Sequence, residues 1–136
     1  MNLKEYIKEY IDNNDIEKYN LNDIYLIISK VLNISKDKII LNLTKDNFEN
    51  INQNEVKENI RLSLDKYYIN HIPLQYILGK WNFYKEEYIV NEQVLVPRAD
   101  SEILVEIAIK YINDFNLKHM IDMCSRIGLY RNIYIK

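Results

Sequence analysis

Glycine is almost missing from this chain: Gly79 and Gly128 are the only two among 136 residues. A G-x-G-x-x-G fingerprint, a Walker A loop and a G-x-S-x-G elbow all need closely spaced glycines, so none of them can exist. Histidine is equally scarce, and His71 and His119 lie too far apart for H-E-x-x-H zinc chemistry; no metal site is expected. The single cysteine, Cys124, rules out an internal disulfide and every C-x-x-C metal or redox pair, and reads as a small core residue. The N-terminal stretch MNLKEYIKEYIDNND is charged throughout and has no apolar signal region. No apolar run approaches the roughly 20 residues that a bilayer span requires. These absences point to a reducing, cytoplasmic location with no membrane partner. A net charge of −2 and a pI near 5.7 give no basic footprint for phosphate groups, so direct nucleic-acid binding is not expected.

What is present is enough for a packed core. Apolar residues make up 48% of the chain, and a domain of this size buries a little under ~70% of its unfolded surface. Leu3, Ile7, Tyr10 and Ile11 recur at helical spacing, with Lys4, Glu5, Lys8 and Glu9 on the other side, until Asn13, Asn14 and Asp15 break the pattern. Leu21, Ile24, Ile28 and Val31 form a second stripe, widened by Ile27 and Leu32 and closed by Asn33. Ser35 is placed to cap a short helix through Ile39, Ile40 and Leu43. TKDNFENINQN reads as a polar loop with about one turn. Val56, Ile60, Leu64, Tyr67 and Tyr68 face inward on a fourth helix. HIPLQYILG predicts a short helix with Pro73 in its first turn and Gly79 as a left-handed stop. The tyrosines on these helices, Tyr6, Tyr10, Tyr25, Tyr67 and Tyr68, read as core edges.

Beyond Gly79 the period falls from 3.6 to 2. KWNFY and YIV, joined by a turn at KEE, predict a β-hairpin. Its aromatics, Trp81, Phe83, Tyr84 and Tyr88, have two readings: a partner surface, or packing on the last helix. Pro97 keeps Val96 out of helical geometry, so a further helix begins only past it. Asp100 or Ser101 is positioned to cap that helix, with Leu104, Ile107, Ala108 and Tyr111 as its inner face. HMIDM, residues 119–123, then reads as a strand. The expected fold class is mainly α: an N-terminal helical bundle, a β-hairpin, and the first helix and strand of an incomplete α/β domain. The expected boundaries are 1–72 for the bundle, 73–98 for the short helix and hairpin, and 99–136 for the last part.

The run PLQYILGKWNFYKEEYIVNEQVLVPRADSEILVE adds what periodicity does not supply. It resembles the junction region of the release factor glutamine methyltransferases of the HemK/PrmC type. Pro73, Leu74, Tyr76, Ile77, Leu78 and Gly79 match that family's first motif. Phe83 and Tyr84 match its hairpin aromatics, and Val94, Leu95, Pro97, Arg98 and Glu102 match its Val-Leu-Ile-Pro-Arg-Pro-x-Thr-Glu motif, with Ala99 and Ser101 as mild departures. The resemblance spans residues 1 to about 125. It implies an N-terminal domain that helps to grip a peptide-chain release factor, and a catalytic domain that uses S-adenosylmethionine. It also places Pro97 and Arg98, as substrate or linker residues, near the active site, bridging the hairpin to the catalytic domain; a plain helix lead-in with Arg98 facing solvent is the other reading.

The family continues Asp-Leu-x-Thr-Gly-Ser-Gly around the cofactor. Here Asp122 and Met123 fit, Ser125 stands for the threonine, Arg126 and Ile127 replace glycine and serine, and Gly128 alone returns to register. Asp122 and Gly128 are thus the cofactor-binding positions that the resemblance carries over, in a degenerate form. Arginine tolerates the required backbone poorly and fills space that the ligand needs. The catalytic Asn-Pro-Pro-Tyr motif cannot be present, because Pro73 and Pro97 are the only prolines. No catalytic residue is assigned, and S-adenosylmethionine is expected not to bind. The expectation is a truncated or frame-shifted copy, true to the family until about Cys124 or Ser125, with poor packing past residue 119. It would carry the release-factor recognition part and be inactive alone. The alternatives are a free-standing helical protein-binding module without catalysis, and a plain structural bundle.

Overall fold

A computed structural model describes residues 1–119 together with residue 121. The described chain divides into two compact units between Leu78 and Gly79. It is mainly helical with one two-stranded antiparallel sheet, in agreement with the expected class.

The first unit holds α1 (Leu3–Asn13), α2 (Leu21–Leu32), α3 (Lys36–Leu41), α4 (Asn54–Tyr68) and α5 (Leu74–Leu78). The starts of α1, α2 and α3 each have a local cause, a side-chain cap. At α1 the Asn2 side chain accepts the Glu5 N–H while the Glu5 carboxylate accepts the Asn2 N–H, a reciprocal capping box. Asn20 caps α2 and Ser35 caps α3, the latter as expected. Asn33 ends α2 at φ 53°, the left-handed geometry that asparagine tolerates. Pro73 stands just before the first residue of α5 rather than inside its first turn, and its carbonyl accepts the Tyr76 N–H. Gly79 follows at φ +72°, as a left-handed stop requires.

α2 packs against α3, α4 and α5, with Ile24, Ile27 and Ile28 fully buried. Leu3, Tyr6, Ile7 and Tyr10 of α1 and Ile60 and Leu64 of α4 complete this core. The polar stretch after α3 is more than a loop. A single 3-10 turn, Phe48–Asn50, drives Phe48 and Ile51 into the same core. A pair spaced three apart inside a polar run was the available signal.

The tyrosines act as struts between helices, as befits core edges. Tyr6 Oη donates to the Lys57 carbonyl at 2.9 Å and Tyr10 Oη to Asp65 Oδ1 at 2.8 Å, joining α1 to α4. Tyr67 Oη donates to Asp23 Oδ2 at 2.8 Å, joining α4 to α2. Asp65 offers its other oxygen to Arg61, which also holds Glu58 and keeps that carboxyl below its ordinary range. Burial is the main cause that pushes the Tyr6 phenol up to about 12. Burial, then the Asp23 hydrogen bond, does the same for Tyr67, also to about 12. Burial and the Asp65 hydrogen bond raise Tyr10 as well.

A folded-state pKa above the unfolded value of ~10 means that each phenol contributes stability fully below pH ~10 and loses it as pH climbs through the folded value. The unfolding free energy of the bundle is therefore expected to be flat toward pH ~10 and to fall between ~10 and ~12. Denaturant titrations across that window check this, and Tyr67→Phe should make the fall shallower.

The second unit begins with β1 (Lys80–Phe83) and β2 (Glu86–Ile89), paired antiparallel from Lys80↔Ile89 to Phe83↔Glu86. The turn is Tyr84–Lys85, one residue earlier than the expected KEE turn. Both residues have positive φ, 45° and 65°. This is the two-residue turn whose twist suits a hairpin, built without the usual Asn-Gly. α6 (Asp100–Asp114) follows. Neither Asp100 nor Ser101 caps it: the N-cap is Ala99, with no side-chain cap bond. The inner face also differs from the expected one. Val105 is buried and Ala108 and Ile109 are partly so, while Leu104, Ile107 and Tyr111 are about half exposed. Ile103, Leu104, Val105, Ile107 and Ile109 leave little polar contrast round the helix, so spacing alone does not choose the buried side. The expected strand at 119–123 falls largely outside the described residues; His119 and Ile121 carry no regular secondary structure.

Candidate functional site

The sequence-predicted linker residues gather in the second unit. Phe83 is 1% exposed and packs with Val105, while Tyr84, Tyr88 and Ile109 close around the pair. Phe83 and Tyr88 meet edge to face, ring centres 6.4 Å apart at 67°. Three of the four hairpin aromatics thus belong to, or pack against, the cluster of Phe83 and Val105, which favours burial over a free partner surface for them. Trp81 stays partly exposed.

Glu102 ties the hairpin to α6. Its Oε1 accepts the Tyr84 N–H at 3.0 Å, and Tyr84 is the first residue of the positive-φ turn. Sequence reading marked Glu102 only as a motif position; its partner lies 18 residues back, beyond any local pattern. Glu102→Ala should cost the second unit about 1.5 kcal/mol, the low end for a charge-assisted bond on a half-exposed carboxylate. Amide exchange of β1 and β2 should quicken accordingly. Glu102→Gln, which keeps an acceptor oxygen, should recover most of the protection.

Pro97 is buried and Arg98 is exposed. The Arg98 carbonyl accepts the Ser101 N–H at 3.0 Å, opening α6, and its guanidinium enters no ion pair among the described residues. Asp122 and Gly128 lie outside the described residues. Gly79 is the one described glycine, and a Cβ built on it meets nothing within 4 Å, so it forms no close-approach cradle. The described residues hold no cluster suited to a metal ion. No helix among them is long and apolar enough to cross a membrane.

The motif that runs from Pro73 to Glu102 is thus split between the end of the bundle and a hairpin clasped by α6. Comparison with known proteins decides what it belongs to. Over 120 residues the chain is 34% identical to the release factor glutamine methyltransferase of Fusobacterium nucleatum subsp. nucleatum, covering 88% of this chain and 32% of that protein. This chain is a relative of the release factor glutamine methyltransferases. The Clostridium botulinum protein of that name is 33% identical over 107 residues, 79% of this chain and 36% of its own length. A bifunctional methyltransferase of Rickettsia bellii is 45% identical over 51 residues, 38% of this chain and 9% of that protein. The chain spans about a third of the length of the release factor glutamine methyltransferases it matches. No family model matches it.

Proposed function

We propose that this chain carries the release-factor recognition part of a protein-glutamine methyltransferase, with its hairpin linker, and does not transfer methyl groups alone. The observation that carries this reading is the identity of about a third, over most of the chain, to proteins named for that activity. In this reading residues 1–72 bind a peptide-chain release factor, residues 73–98 link, and residues 99–136 begin the catalytic domain. Pro97 and Arg98 bridge the hairpin to the catalytic domain, near the active site. Asp122 and Gly128 occupy the cofactor loop in a form that does not hold S-adenosylmethionine, because Arg126 and Ile127 replace the small residues between them. An amide nitrogen is a weak nucleophile that needs strict positioning, and the Asn-Pro-Pro-Tyr motif that provides it in the family has no counterpart in these 136 residues. A cytoplasmic location belongs to the same reading, in keeping with a single cysteine.

The test is retention of purified release factor by the immobilised chain, together with calorimetric titration of S-adenosylmethionine. Retention with no cofactor heat is the expected result. Stoichiometric cofactor binding, or methylation of the release factor, overturns the inactive reading; failure to retain release factor overturns the recognition reading. The break in the motif after Ser125 favours a second reading, a helical module that binds without a catalytic half. Translating the DNA past that codon in all frames separates the two. A frame that restores the glycine loop and Asn-Pro-Pro-Tyr sinks the free-standing module.

A further inference from the structure

The connection between α3 and α4 is strained. Asn47, Glu49 and Asn50 have φ of 54°, 48° and 58°, so the left-handed region recurs within a single turn. Elsewhere in the helical unit such residues, Asp15, Asn33 and His71, occur singly. Asparagine tolerates this geometry; glutamate does so poorly, because its Cβ crowds the following carbonyl oxygen. No glycine precedes Gly79, so none relieves the segment. Strain of this kind persists only where the surroundings hold it in place.

Two side chains and one cation supply that hold. Phe48 and Ile51 are buried in the core of the bundle. Lys38 of α3 pairs with the Glu49 carboxylate and stands 5.8 Å from the centre of the Phe48 ring. Both members of that ion pair are partly exposed, so it adds little to the burial. The N–H groups of Asn50, Ile51 and Gln53 donate to the carbonyls of Asn47, Phe48 and Asn50, all within the segment itself. Its near end is fastened by a bridge between Asp46 and Asn2. At its far end Gln53 gives α4 no side-chain cap.

We infer that residues 46–53 form a strained strap that opens as one unit, withdrawing Phe48 and Ile51 from the core while the helices stay formed. Opening relieves the backbone at Glu49 and returns conformational freedom to the whole segment, against the burial of only two side chains. It therefore takes less free energy than unfolding the bundle. The helical unit thereby has a minor state in which two of its core sites are bare. This holds whatever the unit binds.

Native-state hydrogen exchange of the full chain in low denaturant tests this at the amides of Asn50, Ile51 and Gln53. The three should share one opening constant, roughly 10-fold or more above that of the α2 amides and less sensitive to denaturant. Glu49→Gly should lower that constant about 3-fold relative to Glu49→Gln. Both variants lose the Lys38 pair and only glycine relieves the backbone, part of the gain being offset by its freedom in the open strap. Ile27→Val weakens α2 in the closed and the open state alike. It should raise the α2 constant about 5-fold and leave the strap constant unmoved. Unequal constants among the three amides overturn the inference. So does a strap constant that rises with that of α2 in Ile27→Val, or equal exchange in the glycine and glutamine variants.

Discussion

Phe83→Ala is expected to unfold the β-hairpin while leaving the helical unit intact. Among the described residues, Phe83 and Val105 are the only buried members of their cluster, and Phe83 is its one large buried side chain. Truncating a buried phenylalanine costs ~3–5 kcal/mol through lost transfer energy and an unfilled cavity. A two-stranded hairpin is marginal in water without something to pack on, so a loss of that size exceeds what the strands hold in reserve. The surface ion pair Lys80–Glu87 does not replace it, because exposed pairs contribute ~0–1 kcal/mol. Hydrogen exchange reads the outcome. Amides of β1 and β2 should exchange at unfolded-chain rates, while those of α2 keep their protection. Retained protection in the strands would show that the hairpin is held by something other than the Phe83–Val105 contact.

Ile27→Ala is expected to cost the helical unit ~2–5 kcal/mol, the range for deleting most of a buried aliphatic side chain. Ile27 is fully buried on the helix that packs against α3, α4 and α5, so no single neighbour can move to fill the gap. Small domains are stable by only ~5–15 kcal/mol, so a large share of the stability rests on this one residue. Denaturant unfolding should show a lower midpoint at unchanged slope. Leu41→Ala is the control: Leu41 is 82% exposed, and its truncation should change stability by no more than ~0.5 kcal/mol. A midpoint for Ile27→Ala within error of that control would mean that α2 does not hold the centre of the bundle.

Much of this protein was legible in its residues. The stripes of α1, α2 and α4, the caps at Asn33 and Ser35, and the stop at Gly79 are local devices, set by side chains within four positions of one another. The change of period after Gly79 announced the hairpin, and the motif from Pro73 to Glu102 pointed to the methyltransferase relatives before any coordinate did. The turn at Tyr84–Lys85 was misplaced by one residue because neither residue type prefers positive φ. That choice is imposed by pairing Phe83 with Glu86 and by the carboxylate of Glu102 on the Tyr84 N–H.

The tertiary structure decided the rest, and it did so wherever local information is degenerate or the partner is remote. α6 is apolar on most sides, so only the packing of Phe83 on Val105 selects its inner face over the one through Leu104 and Ile107. Phe48 and Ile51 lie in a polar run and become core because a 3-10 turn aims them at the bundle. The tyrosine struts to Lys57, Asp65 and Asp23 join positions 44 to 55 residues apart. Periodicity carries no information over that distance. Helix and strand identity follow from near neighbours, whereas which faces meet, and which polar groups answer one another, follow only from how the elements pack.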